Sequence, residues 1–227
     1  DLHSFPTRRS SDLADRSVEQ RSQFAVVSGE AGIGKTTLIN HVTAALTDAR
    51  WTVHTGHCIE YAERAFPFDP VVRIIRSVLD ANADVLDDIV SHRRADLAAL
   101  LPELRTDGVD GAPLSGDVDR LIDAISTLLI RAAEHRPMVI VVEDIQWADT
   151  ATRDLLAALA HSLGQARAFV IISERTAAME RADPVYPWLA EFRRLSNVTD
   201  LPLGGLSRDE LALQAADILG AAVDDGL

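Results

Sequence analysis

Five short apolar runs alternate along the chain with stretches in which apolar residues recur every three or four positions. Residues 23–28 (QFAVVS) form an apolar run closed by turn-forming residues, the pattern of a buried strand. Residues 35–49 place Leu38, Val42, Ala45 and Leu46 at helical spacing. Residues 51–57 (WTVHTGH) alternate and are rich in β-formers, which predicts a second strand. Residues 68–79 carry Val71, Val72, Ile75, Val78 and Leu79 on one helical face, with Pro67 or Pro70 at the start. Short helices are predicted over 85–90 and 95–101. Residues 105–116 (RTDGVDGAPLSG) are Gly, Asp and Pro rich and predict a mobile loop.

The second half is more regular. Residues 117–134 form an amphipathic helix with Leu121, Ile122, Ile125, Leu128, Leu129 and Ala132 on one side, ended by Pro137. Residues 139–142 are β-branched throughout, as in a central parallel strand. A helix over 150–163, a strand over 169–173 (FVIIS), a short helix over 188–194 and a strand over 198–203 follow. Ser207 and Glu210 are spaced as a capping box opening a last helix to residue 219. Alternating strand and helix predicts an α/β fold. We expect a parallel five-stranded sheet with helices on both faces and a helical excursion between the second and third strands.

Composition narrows the function classes. The chain has 227 residues, 47% of them hydrophobic, enough for one full core, and no apolar run reaches the length of a membrane span. A formal net charge of −13 argues against this segment gripping nucleic acid or an anionic membrane. The single cysteine, Cys58, excludes an internal disulfide framework and suits a reducing cytoplasm. Residues 3–13 (HSFPTRRSSDL) match nothing around them. They back-translate into a common sequencing adapter read in frame, the alternative being an ordinary polar arm. We therefore expect residues 1–13 to be adapter-derived, and residues 14–227 to be one domain, a fragment of a longer protein.

Two segments carry candidate chemistry. Gly29-Glu30-Ala31-Gly32-Ile33-Gly34-Lys35-Thr36 fits G-x-x-x-x-G-K-[ST], and it lies between a predicted strand and a predicted helix. Glycines there allow backbone angles that turn successive N–H groups inward, and the helix start adds positive potential. Lys35 would reach the β and γ phosphates, Thr36 would bind Mg²⁺ and Thr37 would donate to the α phosphate. The second segment, MVIVVEDIQWAD, ends a strand in Glu143 and Asp144. In a P-loop fold such carboxylates lie beside the phosphates, where they hold the metal and orient water. Arg175 follows the 169–173 strand. It would sense the γ phosphate, or else form a surface salt bridge to a neighbour such as Glu174 or Glu180. His57 and Cys58 are adjacent but lack a second ligand pair, so a structural role is expected. Trp147 is expected to pack at the sheet edge.

These segments together resemble the STAND ATPases, the signal-transduction P-loop NTPases. VSGEAGIGKTTL, FPFDPV, LAALLPEL, VIVVEDIQWAD and FVIISER occur in the family's order, over residues 22–219. More narrowly, the chain is similar to the nucleotide-binding module of large LuxR-type transcriptional regulators and of cyclase- or kinase-linked bacterial ATPases. The resemblance implies that Lys35 and Thr36 hold phosphate and Mg²⁺ and that Glu143 and Asp144 serve metal and water. It also implies that Arg175 acts on the nucleotide and that Asp149 caps the next helix. Relatives often carry two aspartates where this chain has Glu143 and Asp144, which leaves open which acid meets the metal. A VGRE-like segment before the first strand and the downstream lid, sensor and effector are not seen.

No N-K-x-D sequence follows a later strand, so ATP or ADP is expected rather than a guanine nucleotide. The expected function is Mg-ATP binding and slow hydrolysis as the switch of a bacterial signalling or transcription regulator. The effector would lie in a missing C-terminal domain, and ATP-dependent self-association is expected to be possible. The alternatives are a nucleotide-binding interaction module without significant hydrolysis, and a helicase-loader-like AAA+ ATPase.

Overall fold

A computed structural model describes residues 22–60, 68–85, 87, 90, 93–104, 118–176 and 184–205. The adapter-like segment 1–13, the loop 105–116, the last helix 207–219 and residues 86, 88 and 89 of the predicted 85–90 helix lie outside the described residues. The strands are β1 (Gln23–Gly29), β2 (Thr52–His57), β3 (Met138–Glu143), β4 (Ala168–Arg175) and β5 (Val198–Pro202). The helices are α1 (Lys35–Asp48), α2 (Asp69–Ala81), α3 (Arg94–Leu97), α4 (Val118–His135), α5 (Thr150–Ser162) and α6 (Val185–Phe192). Short 3-10 turns cover Pro102–Leu104 and Ile145–Trp147.

The five strands form one sheet in the order β2-β3-β4-β1-β5, and every pairing is parallel. This is the α/β architecture expected from the sequence. Period-two alternation divides the strand residues between two faces. Ala25, Val27, Val139, Val141, Phe169 and Ile171 face α1, where they meet Ile39 and Val42. Phe24, Val26, Ile140, Val142, Val170 and Ile172 face the other way, onto α2, α4, α5 and α6. Both faces of the central strands are therefore covered, which is why those strands read as unbroken apolar runs.

Several boundaries move. The predicted 95–101 helix is a single turn, α3, followed by a 3-10 turn that begins at Pro102. The predicted 188–194 helix begins earlier, at Val185, because Pro187 falls in its first turn, where proline costs no hydrogen bond. β4 runs two residues past the predicted end and takes in Glu174 and Arg175, because Ser28 and Gly29 of β1 pair with them. Sheet pairing, unlike side-chain hydrophobicity, does not stop at the first polar residue.

β2 lies against α2 at very short range. A Cβ on Gly56 would fall 2.4 Å from the Pro70 carbonyl oxygen. Only a residue without a side chain lets the strand and the helix start approach this closely. At the carboxyl end of β2, His57 pairs in register with Glu143 of β3.

Candidate functional site

The site is built at the carboxyl ends of β1, β3 and β4. β1 leads into a turn in which Gly32 has φ 78° and Gly34, the residue before α1, has φ 106°. A Cβ on either would meet nothing within 4 Å. Glycine is needed there for the left-handed backbone angle, not for space. The first helical hydrogen bond runs from Leu38 N–H to Gly34 O at 2.9 Å, so the N–H groups of the preceding residues are left for another acceptor.

Lys35 bends back over this loop. Its Nζ donates to Gly29 O at 2.8 Å and to Glu30 O at 2.7 Å. Its pKa is lowered, first by burial and next by the Arg175 guanidinium, with Asp144 and Glu174 pulling the other way. Two cations thus converge on one place, an arrangement that an anion between them would relieve.

Glu143 closes β3, and its Oε1 lies 3.6 Å from His57 Nδ1. Asp144 then takes left-handed angles (φ 58°, ψ 50°), which an aspartate tolerates better than most residues. Its N–H donates to Ser173 Oγ at 3.1 Å. Its carboxylate accepts two bonds from Arg175, Nε to Oδ1 at 2.9 Å and Nη2 to Oδ2 at 2.8 Å. Gln146 Nε2 donates to the same Oδ1 at 3.1 Å. The pairing is bidentate and charge-assisted.

Of the salt-bridge partners expected for Arg175, Glu174 is corrected, and Glu180 lies outside the described residues. Arg175 is the last residue of β4, not a residue beyond it, and its counter-charge is Asp144. Glu174 faces the opposite side of the sheet. It is buried and held by Arg193, whose Nε also donates to Asp200 Oδ1 at 3.0 Å. Burial raises the Glu174 pKa, and the Arg193 charge opposes that rise.

Ala31, Gly32, Gly34, Lys35, Thr36, Thr37, Glu143, Asp144, Ser173 and Arg175 line one cavity of about 350 Å³. Three residues of the motif, Gly29, Glu30 and Ile33, do not line it; Gly29 and Glu30 contribute carbonyls to Lys35. Ser173 and Gln146 are additions that the sequence reading missed. Alternation along β4 was the available signal for Ser173, since it shares a face with Arg175. For Gln146 there was none beyond its place after the acids.

Thr36 and Glu143 both line the cavity and offer hard oxygens. That suits Mg²⁺, which keeps several waters and takes one or two carboxylates together with substrate phosphates. Among the described residues no group of three His, Cys, Asp or Glu side chains is placed to hold a metal ion by itself. The Cys58 thiol is pushed up to about 12 by burial, helped by Asp149, Asp144 and Asp69, and so stays protonated. Trp147 is half-buried against the larger core. Asp149 caps α5, as the resemblance implied, accepting from Thr152 N–H at 2.9 Å.

A parallel sheet with a glycine loop entering α1 and acids on a nearby strand defines the P-loop NTPase class of α/β proteins. Residues 10–172 match the family model described as the AAA ATPase domain, and the chain belongs to that family. No curated protein matches the sequence. Among solved structures, the chain is similar to a STAND protein with a tetratricopeptide repeat sensor from Pyrococcus horikoshii. The TM-score is 0.49 at 15% identity, over 95% of this chain and 26% of that one. It is also similar to a chain of Drosophila ORC bound to DNA (TM-score 0.45, 10% identity, 89% and 94% covered). A third is AMPPCP-bound DnaA from Aquifex aeolicus (TM-score 0.46, 8% identity, 99% and 55% covered). The chain spans only a quarter of the STAND protein's length. Among the described residues no helix is long and apolar enough to cross a membrane.

Proposed function

We propose that this domain binds Mg-ATP in the cavity and hydrolyses it slowly, as the nucleotide switch of a cytoplasmic bacterial signalling or transcription regulator. The observation that carries the reading is the convergence of Lys35, Thr36, Glu143, Asp144 and Arg175 on one cavity, where burial and the Arg175 charge both lower the Lys35 pKa. A triphosphate would add negative charge where both cations line the cavity. Lys35 would exchange the Gly29 and Glu30 carbonyls for phosphate oxygens, and the free N–H groups at the start of α1 would add their donors. Thr36 and Glu143 would hold Mg²⁺, which would neutralise charge on the phosphates. The γ phosphate competes with Asp144 for the Arg175 guanidinium. ATP and ADP would therefore leave Arg175 and Asp144 differently paired, and that difference is what a switch transmits. A downstream effector and ATP-dependent self-association belong to the same proposal.

One observation favours the second reading, a module that holds ATP without turning it over. The Asp144 carboxylate accepts three hydrogen bonds, two of them from Arg175, so both its oxygens are already engaged. Measuring binding and release together separates the two. We expect Lys35→Ala to lose Mg-ATP binding in calorimetry, and wild type to release phosphate in a single turnover that Asp144→Ala does not. Unchanged affinity in Lys35→Ala refutes the site. Binding without release in wild type leaves the non-hydrolysing module.

A further inference from the structure

We propose that Gln146 is a positioning residue that holds the Asp144–Arg175 pair in place and so sets how well the site distinguishes a nucleoside triphosphate from a diphosphate. The second half of this inference rests on the nucleotide reading of the cavity; the first half does not. The β3–β4 ladder ends at Val142 paired with Ile172. Beyond it, Asp144 turns away into left-handed angles while β4 continues to Arg175. The two chain ends would part there. Two side chains close the gap. Ser173 Oγ takes the Asp144 N–H, and Gln146 Oε1 takes the Arg175 N–H at 3.2 Å.

Gln146 also binds the pair's carboxylate. Its Nε2 donates to Asp144 Oδ1 while that same oxygen accepts from Arg175 Nε. One amide thus grips the anion by its side chain and the cation by its main chain. A side-chain amide carries a donor and an acceptor on two separate atoms of one carbon, which an ionised acid, an alcohol or an apolar side chain of similar length does not. The amide is itself fixed. Gln146 is 5% exposed, and the neighbouring Ile145 is fully buried in the larger core. A buried amide with both ends used resists rotation, because any other orientation leaves polar atoms unpaired.

Removing the amide frees the Asp144 carboxylate to swing and leaves the Arg175 N–H without its acceptor. The guanidinium then loses its fixed aim at the place where a third phosphate would lie. Binding of a diphosphate, which relies on the loop, Lys35 and Thr36, is not touched.

The test uses the whole chain, as wild type, Gln146→Met, Gln146→Glu, Arg175→Ala and the Gln146→Met/Arg175→Ala double variant. Gln146→Glu keeps the size and the acceptor but sets a second carboxylate against Asp144, so it is expected to act in the same direction. Calorimetry with Mg-AMPPNP and Mg-ADP is expected to show the triphosphate-to-diphosphate preference falling roughly threefold or more in both single Gln146 variants. ADP affinity should stay within about twofold. In the Arg175→Ala background, Gln146→Met should change the preference no further, because the pair it positions is gone. Independently of nucleotide, the Arg175 Nε–H proton should exchange with solvent roughly fivefold faster in Gln146→Met, as read by NMR. An unchanged exchange rate overturns the positioning role whether or not the wild type binds nucleotide. If nucleotide binds, an unchanged preference, or an equal loss in the Arg175→Ala background, also overturns the proposal. Faster exchange in a protein that binds neither nucleotide upholds the positioning and removes only the nucleotide reading.

Discussion

Asp149 and Phe68, 81 residues apart in sequence, are joined by a hydrogen bond of 3.1 Å from the Phe68 N–H to Asp149 Oδ2. The same carboxylate caps α5 through Thr152 N–H and Thr152 Oγ1. Phe68 stands just before α2 with left-handed angles, and its ring is buried in the larger core. One side chain therefore serves the starts of two helices, capping α5 and pinning the entry to α2.

Asp149→Ala removes the cap and leaves a main-chain donor unpaired. The expected loss of stability is about 2 kcal/mol or more, from a helix cap plus an orphaned N–H. Asp149→Asn keeps a carbonyl oxygen for Thr152 N–H and is expected to lose roughly half as much. Urea unfolding of the two variants beside wild type measures the difference. Equal stability of all three would show that neither the cap nor the contact to Phe68 contributes.

Stability should also depend on pH through His54. Its ring is buried on β2, with Nδ1 2.8 Å from Ser77 Oγ and Nε2 2.9 Å from Thr52 Oγ1. Burial lowers its pKa from 6.5 to about 4. The unfolded chain therefore binds the extra proton first. The His54 contribution is complete above pH 6.5 and is lost as pH falls towards 4. Linkage gives a loss of about 2 kcal/mol between pH 7.5 and pH 5. His54→Phe should be less stable at neutral pH, since two hydroxyls lose their partner, but should lack this part of the slope. Denaturation midpoints over that pH range test it; parallel slopes for variant and wild type would show that His54 does not carry the effect.

Gly56→Ala sets a methyl group against the Pro70 carbonyl, which is main chain and cannot rotate away. We expect a loss of about 1–3 kcal/mol, the usual cost of forcing an extra methyl into a packed site. Thermal unfolding provides the measurement. A variant as stable as wild type would mean that β2 and α2 separate at little cost.

The helices and strands were legible wherever the hydrophobic period was long and clean. α4 and α5 fell within one residue of expectation at each end. The glycine loop was legible down to its residues, because both its backbone angles and its lysine are local requirements. The single-turn α3 was read as a longer helix, since apolar residues at helical spacing also suit a turn that merely covers a core. The end of β4 was read two residues short because pairing with β1, invisible in the local pattern, carries the strand on through Glu174 and Arg175.

The sequence by itself determined that a glycine-rich loop fitting G-x-x-x-x-G-K-[ST] joins a buried strand to a helix, and that acids end a later strand. Those features depend on residues within a few positions of one another. The strand order, and with it the partner of Arg175, was decided only by the tertiary structure. Asp144 and Arg175 are 31 residues apart, and nothing in either segment names the other. They meet because β3 and β4 lie side by side in parallel, which the whole set of packed helices determines. A side-chain contact across a sheet is a property of register, and register is a property of the complete fold.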